Sequence, residues 1–167
     1  MNRFVKKVLI ALAMFPLMGV VVASCAEEID CSMVNRATLN GAFYTLSESN
    51  RPVLGQQGKI TLTALGTDSI LLNQLQNVKN LSLPLQYTAD TTALVMEFDG
   101  IWKDTIVFKH TNTPYFVSME CGYEMKQVVT GFYHTKHVLD SIALIDINTN
   151  KNGKENLQLF YTATEAQ

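Results

Sequence analysis

The residues best suited to chemistry are gathered near the C-terminal end of the chain. Asp146, Asn148, Asn150, Asn152, Gly153 and Glu155 set oxygen-bearing side chains at alternate positions around a glycine, the pattern by which a loop wraps a hard cation such as calcium. The charge falls short of that pattern. With Asn148 as the first ligand, Gly153 takes the sixth position, but the first ligand is neutral and the twelfth is Leu159 instead of a bidentate glutamate. With Asp146 first, the glycine is misplaced. A polar hairpin turn accounts for the same residues, so Asp146, Asn148, Asn150 and Asn152 are candidate metal ligands without the charge for tight binding. His134 and His137 are three apart, which on a strand sends them to opposite faces and away from a shared metal. Nucleophile elbows, phosphate-cradling glycine loops and paired Cys-x-x-Cys ligands are absent. A hydrolase acting on glycan or peptidoglycan would need two carboxylates across a cleft. Glu97, Glu120 and Glu124 could serve, but nothing in the spacing pairs them, and Glu97 and Glu120 fall on the polar phase of alternating strands. The reading is therefore a non-enzymatic protein with no cofactor, the hydrolase being the alternative.

The elements that must position these residues are strands. From Thr38 onward the hydrophobic period is two: Ile60, Leu62 and Ala64 alternate with threonines, Leu81, Leu83 and Leu85 with Ser82 and Pro84, and Tyr115, Val117, Met119 and Cys121 with Phe116, Ser118 and Glu120. Pro84 suits an edge strand, since it cannot donate to a ladder. Asp99-Gly100 between 92–98 and 101–109, and Asn152-Gly153 between 141–147 and 157–161, are hairpin signals. Further strands are expected at 39–46 and 127–133, about eight or nine in all, and the single helical prospect is the short stretch 68–77. This turn-rich spacing predicts an all-β fold, an antiparallel β-sandwich of immunoglobulin-like or jelly-roll type. Trp102, beside Ile106 and Phe108 at strand spacing, is expected to pack inward. A transmembrane barrel is excluded, because lipid-facing bands and aromatic girdles do not recur from segment to segment.

Ahead of the strands, Arg3, Lys6 and Lys7 precede an apolar run over 8–23, the order of a cleaved signal peptide. The run is too short to span a bilayer comfortably and is broken by Pro16 and Gly19. It ends in Val22-Ala23-Ser24-Cys25, which resembles the lipobox of bacterial lipoproteins. That resemblance implies that Cys25 is acylated and becomes the mature first residue, several acyl chains giving a stable membrane anchor. The expected organisation is a signal peptide over 1–24, a lipidated tether over 25–37 and one sandwich domain over 38–167. The 167 residues less the 24 of the signal leave 143, enough for a single domain with a sizeable core. Removing the signal leaves ten basic against fifteen acidic side chains, a net charge near −5. Without a basic cluster, nucleic-acid binding is excluded as a function class, and so is electrostatic docking on anionic headgroups. Glu27, Glu28 and Asp30 resemble the acidic signal that sends some Bacteroidota lipoproteins to the cell surface, and a solvated tether explains them equally well.

Two cysteines remain beyond Cys25. In an oxidising compartment Cys31 and Cys121 read as one disulfide closing a loop of about 90 residues, for which loop-closure entropy gives on the order of 4.5 kcal/mol. The alternative is an unbonded, buried Cys121 with Cys31 loose in the tether. Four of the seven aspartates stand directly before Ser69, Thr91, Thr105 and Ser141, each followed by an apolar residue or Thr. This resembles the acceptor sequon of the O-glycosylation system of Bacteroidota, although Asp-Ser/Thr also opens strands by bonding to turn backbone.

The lipobox, Cys31, Leu81 to Leu85, the run Val117 to Tyr123 and the late Asp140-Ser141-Ile142 together resemble a family of Bacteroidales envelope lipoproteins of unknown function. The resemblance implies location and fold and supports the Cys31–Cys121 pairing, and it carries no activity. The expectation is a cell-envelope, outer-membrane lipoprotein, on the periplasmic side or at the cell surface. It is held to the membrane by its lipid, and its role is binding or structural, toward an envelope protein or a glycan.

Overall fold

The computed structural model describes residues 36–67, 69–119 and 121–162. The signal segment 1–24, Cys25, Cys31, all of the tether except 36 and 37, Asp68 and Glu120 lie outside the described residues. Those that are described fall within the unit Asn35–Gln167. They form ten strands and no helix: β1 (Leu39–Leu46), β2 (Pro52–Leu54), β3 (Gln57–Ala64), β4 (Ile70–Val78), β5 (Asn80–Leu83), β6 (Thr91–Phe98), β7 (Trp102–Ser118), β8 (Gly122–His134), β9 (Leu139–Leu144) and β10 (Glu155–Tyr161).

One sheet runs β4-β3-β6-β7-β8 with every neighbour antiparallel. The other runs β9-β10-β1, and β1's far edge is shared by β5 and then β2. The fold is all-β, two sheets around one core, as the period-two pattern implies, with one departure: β1 and β10 pair in parallel. Alternation makes the core. Leu94, Met96 and Phe98 on β6, Ile106 and Phe108 on β7, and Ile60 and Leu62 on β3 meet Leu39 and Phe43 on β1, Leu157 and Leu159 on β10, and Leu81 and Leu83 on β5. Burying a side chain of this size contributes roughly 1.5–3 kcal/mol. Pro84 follows directly after β5, which pairs with β1 alone.

Three expectations need correction. The helical prospect at 68–77 is β4, whose ladder to β3 slips at Leu62, with positive φ at Gln74 and Asn77. Its leucines read as helical because these irregularities break the period of two, and sheet pairing overrides local propensity. Asn152-Gly153 does not close a tight hairpin, since β9 ends at Leu144 and ten residues pass before β10. Finally, 115–121 is no half-buried strand. β6 accompanies β7 only to Lys109, and from Thr111 to Ser118 β7 pairs with β8 alone, a two-stranded arm with Tyr115, Phe116, Val117, Met119 and Tyr123 exposed.

Buried polar groups hold the sheets in register. Asp104 on β7 is 0% exposed. Its Oδ1 accepts from the Thr135 hydroxyl at 2.7 Å and the His137 N–H at 2.8 Å, and its Oδ2 from the N–H groups of Val138 at 2.8 Å and Leu139 at 2.9 Å. Burial pushes this carboxyl up, but the donors of Leu139, His137, Thr135 and Val138 outweigh it and hold the pKa below the usual range. His110, also buried, bonds through Nε2 to Thr92 Oγ1 at 2.8 Å and through Nδ1 to Asn112 Oδ1 at 3.0 Å. Gln86 N–H already donates to Thr92 Oγ1, so the consistent assignment is Nδ1–H donating to Asn112 and Nε2 accepting the threonine proton. Asn112 Nδ2 meets the carbonyls of Gln86, Tyr87 and Ala89, and Gln127 Nε2 donates to Asn112 Oδ1, which fastens the loop before β6 to β7 and β8. Burial lowers the His110 pKa.

The substitution Asp104→Asn should lower stability by on the order of 3 kcal/mol in chemical denaturation, since an amide NH₂ would face N–H donors it cannot accept from. The wild type should weaken on acidification in two stages. His110 is depressed in the fold, so its contribution is complete above the unfolded value of 6.5 and is lost as pH falls below it. Asp104 is depressed from 3.8, so its contribution is lost below that. Denaturation midpoints between about pH 7 and 5 should fall for wild type and stay flatter for His110→Gln.

Candidate binding site

The Asp99-Gly100 turn is as expected, with φ of 52° and 75° and Ile101 N–H bonded to the Phe98 carbonyl at 3.0 Å. Only glycine adopts the second of these conformations without strain. The turn is tied down across the sheet: Asp99 N–H donates to the Lys59 carbonyl at 2.8 Å, and Asp99 Oδ1 accepts from the Lys59 N–H at 2.8 Å. A Cβ on Gly58 would stand 2.6 Å from that oxygen, so the close approach requires glycine there.

Behind this turn the ends of five strands converge on a cavity of about 640 Å³, within the range of small-molecule sites. Its floor carries Tyr161, whose ring packs edge-on against Phe43 with centroids 6.2 Å apart. The Tyr161 hydroxyl donates to the Gln56 carbonyl and accepts from the Gln56 N–H, both at 3.0 Å. The rim carries Asp99, Trp102, His137 and Asp140. His137 is held by its N–H and Nδ1 on Asp104, and Asp140 Oδ2 accepts from the Thr162 hydroxyl at 2.7 Å. Gln57 is only 8% exposed, yet its Nε2 is buried with no acceptor among the described residues.

Trp102 overturns the expectation of inward packing. It has the phase of Asp104, Ile106 and Phe108 but is 58% exposed. It is the first residue of β7, at the rim, and the β8 ladder begins only at Ile106, so β8 does not flank Trp102 as it flanks Ile106 and Phe108. The signal that could have found it is its place two residues after the Asp-Gly turn, at the extremity of a hairpin.

Elsewhere the polar residues singled out in the sequence bond to one another. Asp146 Oδ1 accepts from the N–H and Nδ2 of Asn148, and its Oδ2 from Lys154 Nζ at 3.0 Å. These donors, the Asn148 N–H first, hold its pKa at about 2. Asn150 Oδ1 accepts from Asn40 Nδ2 and Lys154 N–H, both at 3.0 Å, and Asn152 Oδ1 accepts from the same N–H at 3.1 Å. The buried Asn156, which sequence reading missed, organises the loop by donating to the carbonyls of Asp146 and Asn148. Among the described residues no group of three His, Cys, Asp or Glu is placed to hold a metal. Ser69, Thr91 and Ser141 are exposed, while Thr105 is half-buried in mid-sheet. Cys121 lies between β7 and β8, its N–H donating to Ser118 Oγ at 3.0 Å. Glu97 pairs with Lys103 at 2.8 Å, and Glu124 binds both Lys151 and the Tyr115 hydroxyl. A second cavity of about 460 Å³ lies between β1, β5 and β4. Its Glu155 already accepts from Tyr44 and Gln158, and its Asn40 is bonded to Asn150 and Ser82.

Fold and site together define an all-β domain with a pocket at the convergence of its strand ends. The chain belongs to a family of unknown function (DUF6452), matched over residues 59–161, the span from β3 to the end of β10. No curated protein and no solved structure matches it.

Lys154 already neutralises Asp146, so millimolar calcium should leave the melting temperature unchanged. A rise of several degrees would restore the 146–155 loop as a cation site.

Proposed function

We propose that this chain is an envelope lipoprotein, held by an acylated Cys25, whose sandwich is a non-catalytic binding module with its ligand site at Trp102. The observation that carries the binding role is the exposed indole on the rim of a concave site lined also by Gln57, whose Nε2 has no acceptor among the described residues. The carboxyl groups that shift, Asp104, Glu124 and Asp146, all shift downward, which suits acceptors and ion-pair partners and not a general acid. The hydrolase alternative would fall to Asp99 and Asp140, the two carboxylates on the rim.

The signal, lipobox and tether support the envelope location. In this reading Cys31 and Cys121 are joined, their two electrons and two protons passing to a disulfide-bonded thiol oxidant of the envelope. A step of six residues, roughly 20 Å of extended chain, then separates the lipid from the bonded Cys31. Of the sequon residues, exposed Ser69, Thr91 and Ser141 are the better glycan acceptors and mid-sheet Thr105 the poorer.

The intact mass of protein extracted from membranes tests the whole reading. It should equal the chain from Cys25 plus acyl groups and any glycan, two hydrogens light before reduction, while Cys25→Ala should move the protein to the soluble fraction. An unacylated mass would remove the anchor. Turnover of glycan or peptidoglycan that is abolished by Asp99→Asn or Asp140→Asn would replace the binding module with the hydrolase.

A further inference from the structure

Resting on the reading of the Trp102 cavity as a binding site, we infer that its ligand is a neutral saccharide of one or two pyranose units. Trp102 stacks on the C–H face of one ring, and Gln57, Asp99 and Asp140 bond its hydroxyls. Three features of the cavity converge on that class.

The first is the platform. Trp102 is 58% exposed at the rim, a large flat apolar face that solvent does not favour. A pyranose presents a flat patch of C–H groups edged by hydroxyls, which matches an indole set in polar surroundings. The second is the kind of polar group present. Gln57 Nε2 is a buried donor without an acceptor among the described residues, an unfavourable state until one is supplied. The bonds to Lys59 and Thr162 engage only Oδ1 of Asp99 and Oδ2 of Asp140, leaving each a second oxygen to accept. A sugar hydroxyl both accepts and donates, so one ligand class answers the amide and the carboxylates together. The third is charge. Among the described lining residues none is Lys or Arg, and two are aspartates. Phosphorylated sugars and uronic acids are therefore repelled, and an apolar ligand would leave Gln57 unsatisfied. The cavity of about 640 Å³ suits a short oligosaccharide end.

Trp102 is the chain's single tryptophan, so its fluorescence reports this site alone. The full chain in detergent is titrated with a panel of neutral disaccharides, the corresponding sugar acids and a set of extended peptides. At least one neutral disaccharide should shift the Trp102 emission saturably and the sugar acids should not. By calorimetry, Trp102→Ala and Gln57→Leu should each weaken binding about tenfold or more, with folding of both variants confirmed by circular dichroism. A saturable response to peptides alone would overturn the saccharide and keep the binding site. Silence to every probe from a folded protein would overturn both, and tighter binding of sugar acids would overturn the charge argument.

Discussion

A carboxylate with no exposed surface joins the two sheets. Asp104 stands on β7 in one sheet and receives the N–H groups of His137, Val138 and Leu139, where the chain crosses to begin β9 in the other. Desolvating a charge is costly, and the cost is offset only because several donors converge on it. Those donors are the backbone of the crossover itself, so burial of the charge and the path of the chain are one arrangement. If the crossover moved, the carboxylate would be left unsatisfied, and if the carboxylate were lost, three N–H groups would be.

The pocket depends on that arrangement. His137 and Asp140 reach its rim because the segment carrying them is pinned to Asp104, and Asp99 and Trp102 reach it because the turn between β6 and β7 is tied to Lys59. The pocket is thus assembled from strand ends held by backbone bonds. At another margin of the same sheet, Thr92, His110, Asn112 and Gln127 close a buried polar network that fixes the loop ahead of β6. Both clusters set neutral or acceptor chemistry against backbone, which suits a structural task.

Family membership over 59–161 takes in β3 to β10, leaving β1 and β2 outside the matched span. Yet β1 lies at the centre of its sheet, between β10 on one edge and β5 and β2 on the other, and contributes Leu39 and Phe43 to the core. The matched segment therefore needs the preceding strand to complete its sandwich. The β7–β8 arm differs in kind. Beyond Lys109 no third strand among the described residues pairs with the arm, so its aromatic side chains stay exposed however they alternate.

Much of the fold was legible in the residues. Alternation at Ile60 and Leu62, and at Leu81, Leu83 and Leu85, names inward-facing side chains because a strand has only two faces. The Asp99-Gly100 turn was legible because few residue pairs tolerate its backbone. The site was far less so. Period two assigns Trp102 and Ile106 to one face, but it carries no information on how far the flanking strand runs: the β8 ladder reaches Ile106, which is buried, and not Trp102, which is exposed. Nor does local pattern say that Asp104 will meet Leu139, 35 residues away, or that β1 will pair in parallel with β10. The sequence by itself determined most of the strands and the tight turn, which rest on short-range stereochemistry. Tertiary structure decided which strand ends meet, which charge is buried and which aromatic faces solvent, because those depend on contacts between segments remote in the chain.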